Sequence, residues 1–127
     1  VTSGNVSFDG CTLPNCDTLS IVVDGFINFN NVDVPSSLGS ITLKAQLSIA
    51  ITHSNLSSEV VNINSTGAVT LTDASINAGS ILISGQQGDS FSGVYIEGSD
   101  LIYSGALTIF GESSDSYGVH FNQSSFF

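Results

Sequence analysis

One spacing recurs along the chain and limits what it can fold into. It is an apolar residue, any residue, a second apolar residue, and a third apolar residue five positions on. It occurs at Val94/Ile96/Leu101 and again at Val6/Phe8/Leu13, Ile27/Phe29/Val34, Ile49/Ile51/Leu56, Val69/Leu71/Ile76 and Val119/Phe121/Phe126. The copies begin at 6, 27, 49, 69, 94 and 119, in steps of 21, 22, 20, 25 and 25 residues. A fixed period of this length is the signature of a solenoid, in which each repeat is one unit that buries its apolar face only by stacking on the next.

Each of the first five copies carries a second alternating stretch: Leu19/Ile21, Ile41/Leu43, Val61/Ile63, Ile81/Ile83 and Leu107/Ile109. Alternation with period two describes half-buried strands, and no stretch has the i, i+3, i+4, i+7 spacing of an amphipathic helix. The chain therefore predicts an all-β parallel solenoid of about six coils of 20–25 residues. Each coil is expected to be roughly triangular, with two strands and a third short apolar contact at Leu13, Val34, Leu56, Ile76, Leu101 or Phe126. Pro14 and Pro35 follow that third contact, where a strand can end without its N–H. Gly10, Gly39, Gly67, Gly79, Gly98 and Gly105 fall between strand stretches and are read as corners, where tight bends favour positive φ.

Charge excludes several functions. Eleven acidic residues face one basic residue, Lys44, for a formal charge of −10 in 127 residues. A phosphate backbone or an anionic membrane surface requires a Lys/Arg stripe that is absent here, so no nucleic acid partner is expected. No apolar run reaches the roughly 18 residues of a membrane-spanning helix, and no basic-then-apolar leader opens the sequence. Because the first and last residues fall within repeats, residues 1–127 read as a single β-helix segment of a longer protein, stacked on that protein's neighbouring coils. Cut strand edges then favour end-to-end association. Cys11 and Cys16, with four residues between them, suit a disulfide in an oxidising compartment; reduced thiols or half a metal site are the other readings. No other cysteine exists, and His53 and His120 lie far away in sequence, so zinc is not expected.

The last two repeats are longer. The added residues lie in 84–93 and 110–118, and the two stretches match at Gly85/Gly111, Asp89/Asp115, Ser90/Ser116 and Phe91/Tyr117. Insertions of this kind map to one face of a solenoid, often the one that binds. Gln86, Gln87, Asp89, Phe91, Glu112, Asp115 and Tyr117 are accordingly the candidate partner-binding residues. Two readings of Phe91 and Tyr117 stand: exposed anchors for a partner, or rings folded back over the coil edge.

Gly67-Ala68-Val69-Thr70-Leu71-Thr72, Gly105-Ala106-Leu107-Thr108-Ile109 and Ser116-Tyr117-Gly118-Val119-His120-Phe121, with Gly/Asn/Ser/Thr corners, carry a likeness. The chain resembles the β-helical repeat region of two-partner-secretion exoproteins, a group of filamentous haemagglutinins, high-molecular-weight adhesins and contact-dependent growth inhibition effectors. The resemblance implies a right-handed β-helix, secretion to the bacterial cell surface, and a protein or glycan receptor on another cell. The Asn-Pro motifs of the family's secretion domain are absent, so no functional residue transfers. The alternative function is a structural shaft; a carbohydrate-active β-helix, hydrolase or tailspike, is a distant third.

Enzymatic chemistry is not expected. An eliminating lyase needs a basic residue as proton acceptor, and a hydrolase needs two carboxylates about one bond. Asp73, Glu97 and Asp100 lie in the polar gaps of neighbouring repeats and read as solvated acids. His53 falls in a corner stretch, and His120, between Val119 and Phe121, is expected to face outward. No metal or cofactor is expected: Asp89, Glu112 and Asp115 lack the Asp-rich nonapeptide pattern of calcium-binding β-helices. Four sequons start at Asn5, Asn55, Asn64 and Asn122 and are acceptors only where a glycosyltransferase is present.

Overall fold

The computed structural model describes residues 5–10, 18–87, 93–113, 119–122 and 125–126. Strands β1 (Val6–Asp9), β3 (Phe26–Asn30), β5 (Ser48–Thr52), β7 (Ala68–Thr72), β9 (Val94–Glu97) and β11 (Val119–Asn122) form one sheet in that order. Strands β2 (Thr18–Val22), β4 (Asp33–Ala45), β6 (Asn55–Ser65), β8 (Ser75–Gln87), β10 (Asp100–Ser113) and β12 (Ser125–Phe126) form the second. Every pairing is parallel, and no helix occurs among the described residues. The chain alternates between the sheets, so each strand lies on the one two before it. The result is a β-solenoid of about four turns, from β3–β4 to β9–β10. Extending the count to six coils requires corners at 11–17 and 123–124, which lie outside the described residues.

The apolar period sets the register. Val6, Ile27, Ile49, Val69, Val94 and Val119 are successive Cα partners. So are Val34, Leu56, Ile76, Leu101 and Phe126. Within the central coils these columns are closed to solvent, with Ile27, Ile49, Val69, Val94, Ile76 and Leu101 at 0% exposure. Phe29, Ile51, Leu71 and Ile96 form another buried column, capped where Phe8 meets Phe29 edge to face at 5.3 Å. Full burial of each such side chain contributes roughly 1.5–3 kcal/mol, which makes the stack, not any single coil, the unit of stability.

The second sheet changes how the expected segments are divided. The third apolar contact and the following stretch belong to one long strand, not to two separate segments. In β6 the inward residues are Leu56, Ser58, Val61, Ile63 and Ser65, while Glu59 and Val60 both face out. Two outward neighbours turn the strand without ending its ladder. In β10 the turn takes an extra residue, since the register to β8 shifts between Tyr103 and Ala106. A one-residue bulge of this kind bends the strand and re-aims its side chains.

Corners follow a rule that the glycines alone did not reveal. The residue after each of β1, β3, β5, β7 and β9 has positive φ: Gly10 (67°), Asn31 (54°), His53 (50°), Asp73 (50°) and Gly98 (59°). The backbone shape is shared, so the chain places non-glycine residues in the left-handed region at three of five corners. Gly67 is needed for a different reason: a Cβ there would overlap the Leu47 carbonyl oxygen on the neighbouring coil. Hydrogen bonds between coils hold each corner, with the N–H of Gly10, Asn31, His53 and Asp73 donating to Asn30, Thr52, Thr72 and Glu97 at 2.8–3.1 Å.

Candidate functional site

The two elongated repeats meet as their spacing predicts. Beyond the bulge β8 and β10 stay in register to their ends, pairing Gly85 with Gly111, Gln86 with Glu112 and Gln87 with Ser113. The strands therefore enter both insertions side by side, and the Gln86 N–H donates to the Gly67 carbonyl at 2.8 Å, holding the exit to the coil below. Gln86 is exposed at the base of the first insertion. Gln87 and Glu112 are placed by their backbone alone. Asp89, Phe91, Asp115 and Tyr117 lie outside the described residues, as do Cys11 and Cys16.

Beside this base lies a surface that alternation does not account for. Val60, Leu82 and Phe110 are 42%, 41% and 56% exposed, too open for core residues. Val60 pairs with Ser80, two residues before Leu82; Leu82 pairs with Thr108, two residues before Phe110. Each step from Val60 to Leu82 to Phe110 thus moves one strand across and two residues along the same face, about 8 Å at ordinary sheet spacings. The three make a diagonal apolar stripe on the outer face of the second sheet, running from the strand bend to the base of the insertions. A sequence signal for it exists. Val60-Val61, Ile81-Leu82-Ile83 and Ile109-Phe110 are apolar runs that break period two, so one member of each must face out.

Comparisons with protein-family models, with curated proteins and with solved structures give no match. The surface itself must carry the functional reading.

The remaining polar candidates sit at corners. His53 and Asp73 occupy equivalent positions on successive coils, and the imidazole Nδ1 lies 3.6 Å from the Asp73 Oδ2. Both side chains are about half exposed, so the pair adds little to stability. Gly98 continues the column, and a Cβ there would run into the Asp73 carboxylate. Glu97 accepts a hydrogen bond from the Tyr95 hydroxyl at 3.3 Å, and Asp100 is exposed. The Asp73 and Glu97 side chains thus turn to partners other than each other. Asn55 and Asn64 are exposed, whereas the Asn5 side-chain oxygen accepts the Phe26 N–H at 3.0 Å. Among the described residues no group of three metal-ligating side chains is assembled.

Proposed function

We propose that this solenoid is the receptor-binding segment of a secreted, cell-surface filamentous exoprotein, a contact-dependent inhibition effector or an adhesin. The coils are right-handed and number six, the handedness following the strong preference of parallel crossover connections. The observation that carries the reading is the apolar stripe Val60–Leu82–Phe110, which leads to two insertions entered in register. A spacer needs neither exposed Phe110 nor matched insertions. The partner is a protein with an apolar seat for the stripe and a basic rim for the acids of an Arg-free chain: aromatic anchors supply binding energy, and rim charges speed the encounter.

The test is binding of the labelled protein to receptor-bearing cells, with Leu82→Ser/Phe110→Ser and Phe91→Ala/Tyr117→Ala as separate variants. Replacement of an anchor residue commonly lowers affinity by tenfold or more. Such a loss, with unchanged urea melting and association that slows as salt rises, supports the reading. Unchanged binding in both variants leaves only a shaft.

A further inference from the structure

Where the long strands bend, the outer surface forms a groove that the loop reading does not use. It is open to solvent, encloses about 690 Å³, and is lined by residues of β6, β8 and β10. That volume lies within the roughly 300–1,000 Å³ of small-molecule sites. Spanning three parallel strands, it runs along the stacking axis for about 10 Å.

The shape comes from backbone, not from side chains that could swing away. A Cβ at Gly79 would lie 2.9 Å from the Glu59 carbonyl oxygen, and one at Gly105 would lie 2.8 Å from that of Gly79. Glycine at both places lets three coils close up along the bend. The bulge at Ser104-Gly105 then shifts β10 relative to β8; Tyr103, in register with buried Ala78, packs against the core and shows part of its side chain at the wall.

The lining mixes two chemistries. Glu59, Asn77, Ser57 and Ser104 offer carboxylate, amide and hydroxyl groups, with Glu59, Asn77 and Ser104 exposed. Tyr103, Ile102 and Val60 offer an aromatic ring and aliphatic surface. Polar groups that accept and donate in turn, beside a ring and apolar patches, match a sugar: hydroxyls around its edge and C–H groups on its faces. Charge sets the class. The lining has no Lys or Arg and includes Glu59, so an anionic sugar meets repulsion without compensation.

We propose that this groove binds a short neutral oligosaccharide lying along the solenoid axis. Asn77 and Glu59 hold its hydroxyls, and Tyr103 with Ile102 packs against a ring face. Among the described residues Glu59 is the single carboxylate in the lining, so the proposed role is recognition, not cleavage by a carboxylate pair. The groove and the apolar stripe meet at Val60, but the groove lies away from the insertions: Gly79 and Gln86 are about 23 Å apart along β8 at ordinary strand rise.

The experiment is calorimetric titration of the protein with cellotriose, chitotriose, mannotriose, galactotriose and trigalacturonate. At least one neutral trisaccharide is expected to bind. Asn77→Ala and Glu59→Gln each weaken it about tenfold, the scale of a lost hydrogen bond to a charged or well-placed group, without moving the urea midpoint. Tyr103→Phe keeps the ring and retains most of the affinity. Leu82→Ser/Phe110→Ser leaves sugar binding unchanged, which separates this site from the receptor surface. No binding of any neutral trisaccharide at millimolar concentration overturns the proposal. So does binding of trigalacturonate alone, or neutral-sugar binding that Asn77→Ala and Glu59→Gln do not affect.

Discussion

Removing a single hydroxyl at a corner tests how the coils are joined. Ser54 is 1% exposed, and its Oγ accepts the Val32 N–H of the preceding coil at 3.0 Å while donating to the Thr52 carbonyl at 2.9 Å. Ser99 repeats the arrangement, accepting the Ala74 N–H at 3.1 Å and donating to the Glu97 carbonyl at 3.0 Å. Alanine at either position affects the two bonded groups unequally. The Thr52 and Glu97 carbonyls keep the N–H of Asn31 and Asp73, at 3.1 and 2.9 Å. The Val32 and Ala74 N–H groups, on residues 1% and 3% exposed, lose their acceptor where water has no ready access. A buried donor left unpaired costs about 1–3 kcal/mol, so each variant should lose that much. The sites are two coils apart, about 10 Å, and independent changes at that distance add to within a few tenths of a kcal/mol. The double variant should therefore lose about 2–6 kcal/mol, a large share of an ordinary domain's stability. Urea unfolding followed by far-ultraviolet circular dichroism reads the change as a lower midpoint at constant slope. Ser48→Ala, on the outer face of the first sheet, is the control and should stay within about 0.5 kcal/mol. If Ser54→Ala and Ser99→Ala behave like that control, the hydroxyls do not join the coils and the reasoning fails.

Two further outcomes follow from the same stack. Val94→Asp puts a carboxylate at a position of 0% exposure between Val69 and Val119, and should abolish cooperative unfolding, because an unpaired charge cannot be solvated there; a folded, wild-type-like melting curve would show that the column is misregistered. His53→Gly should be neutral or stabilising by up to about 1 kcal/mol in the same urea assay, since glycine removes the left-handed strain at φ 50° while the surface contact to Asp73 contributes little; a clear loss of stability would assign the His53–Asp73 contact a real structural role.

The candidate site was legible in part. Matching Gly85 with Gly111 from sequence predicted the pairing of β8 with β10, because equal offsets from equivalent strands place equivalent residues side by side. The outward stripe was written in the runs at 60–61, 81–83 and 109–110, yet the inward residues of those runs, Val61, Ile81, Ile83 and Ile109, drew the reading. The groove was not legible. Ser57, Asn77 and Ser104 look like ordinary polar residues until three strands bend at the same level.

What the sequence by itself determined is the period and, through it, the register. Side chains alternate every two residues, and an apolar set recurring every 20–25 residues is buried on one face only if coil stacks on coil. The tertiary structure decided the rest. It fused the third contact and the next stretch into one bent strand, because two outward residues turn a strand as well as a break does. It set His53 and Asp73 in the conformation held by Gly10 and Gly98, because each corner N–H must reach the strand of the next coil. It joined Ser54 to Val32 and Ser99 to Ala74 across 22 and 25 residues of chain. These are relations between neighbouring coils, and no local pattern encodes them: each residue's partner is fixed only once the coil beside it is in place.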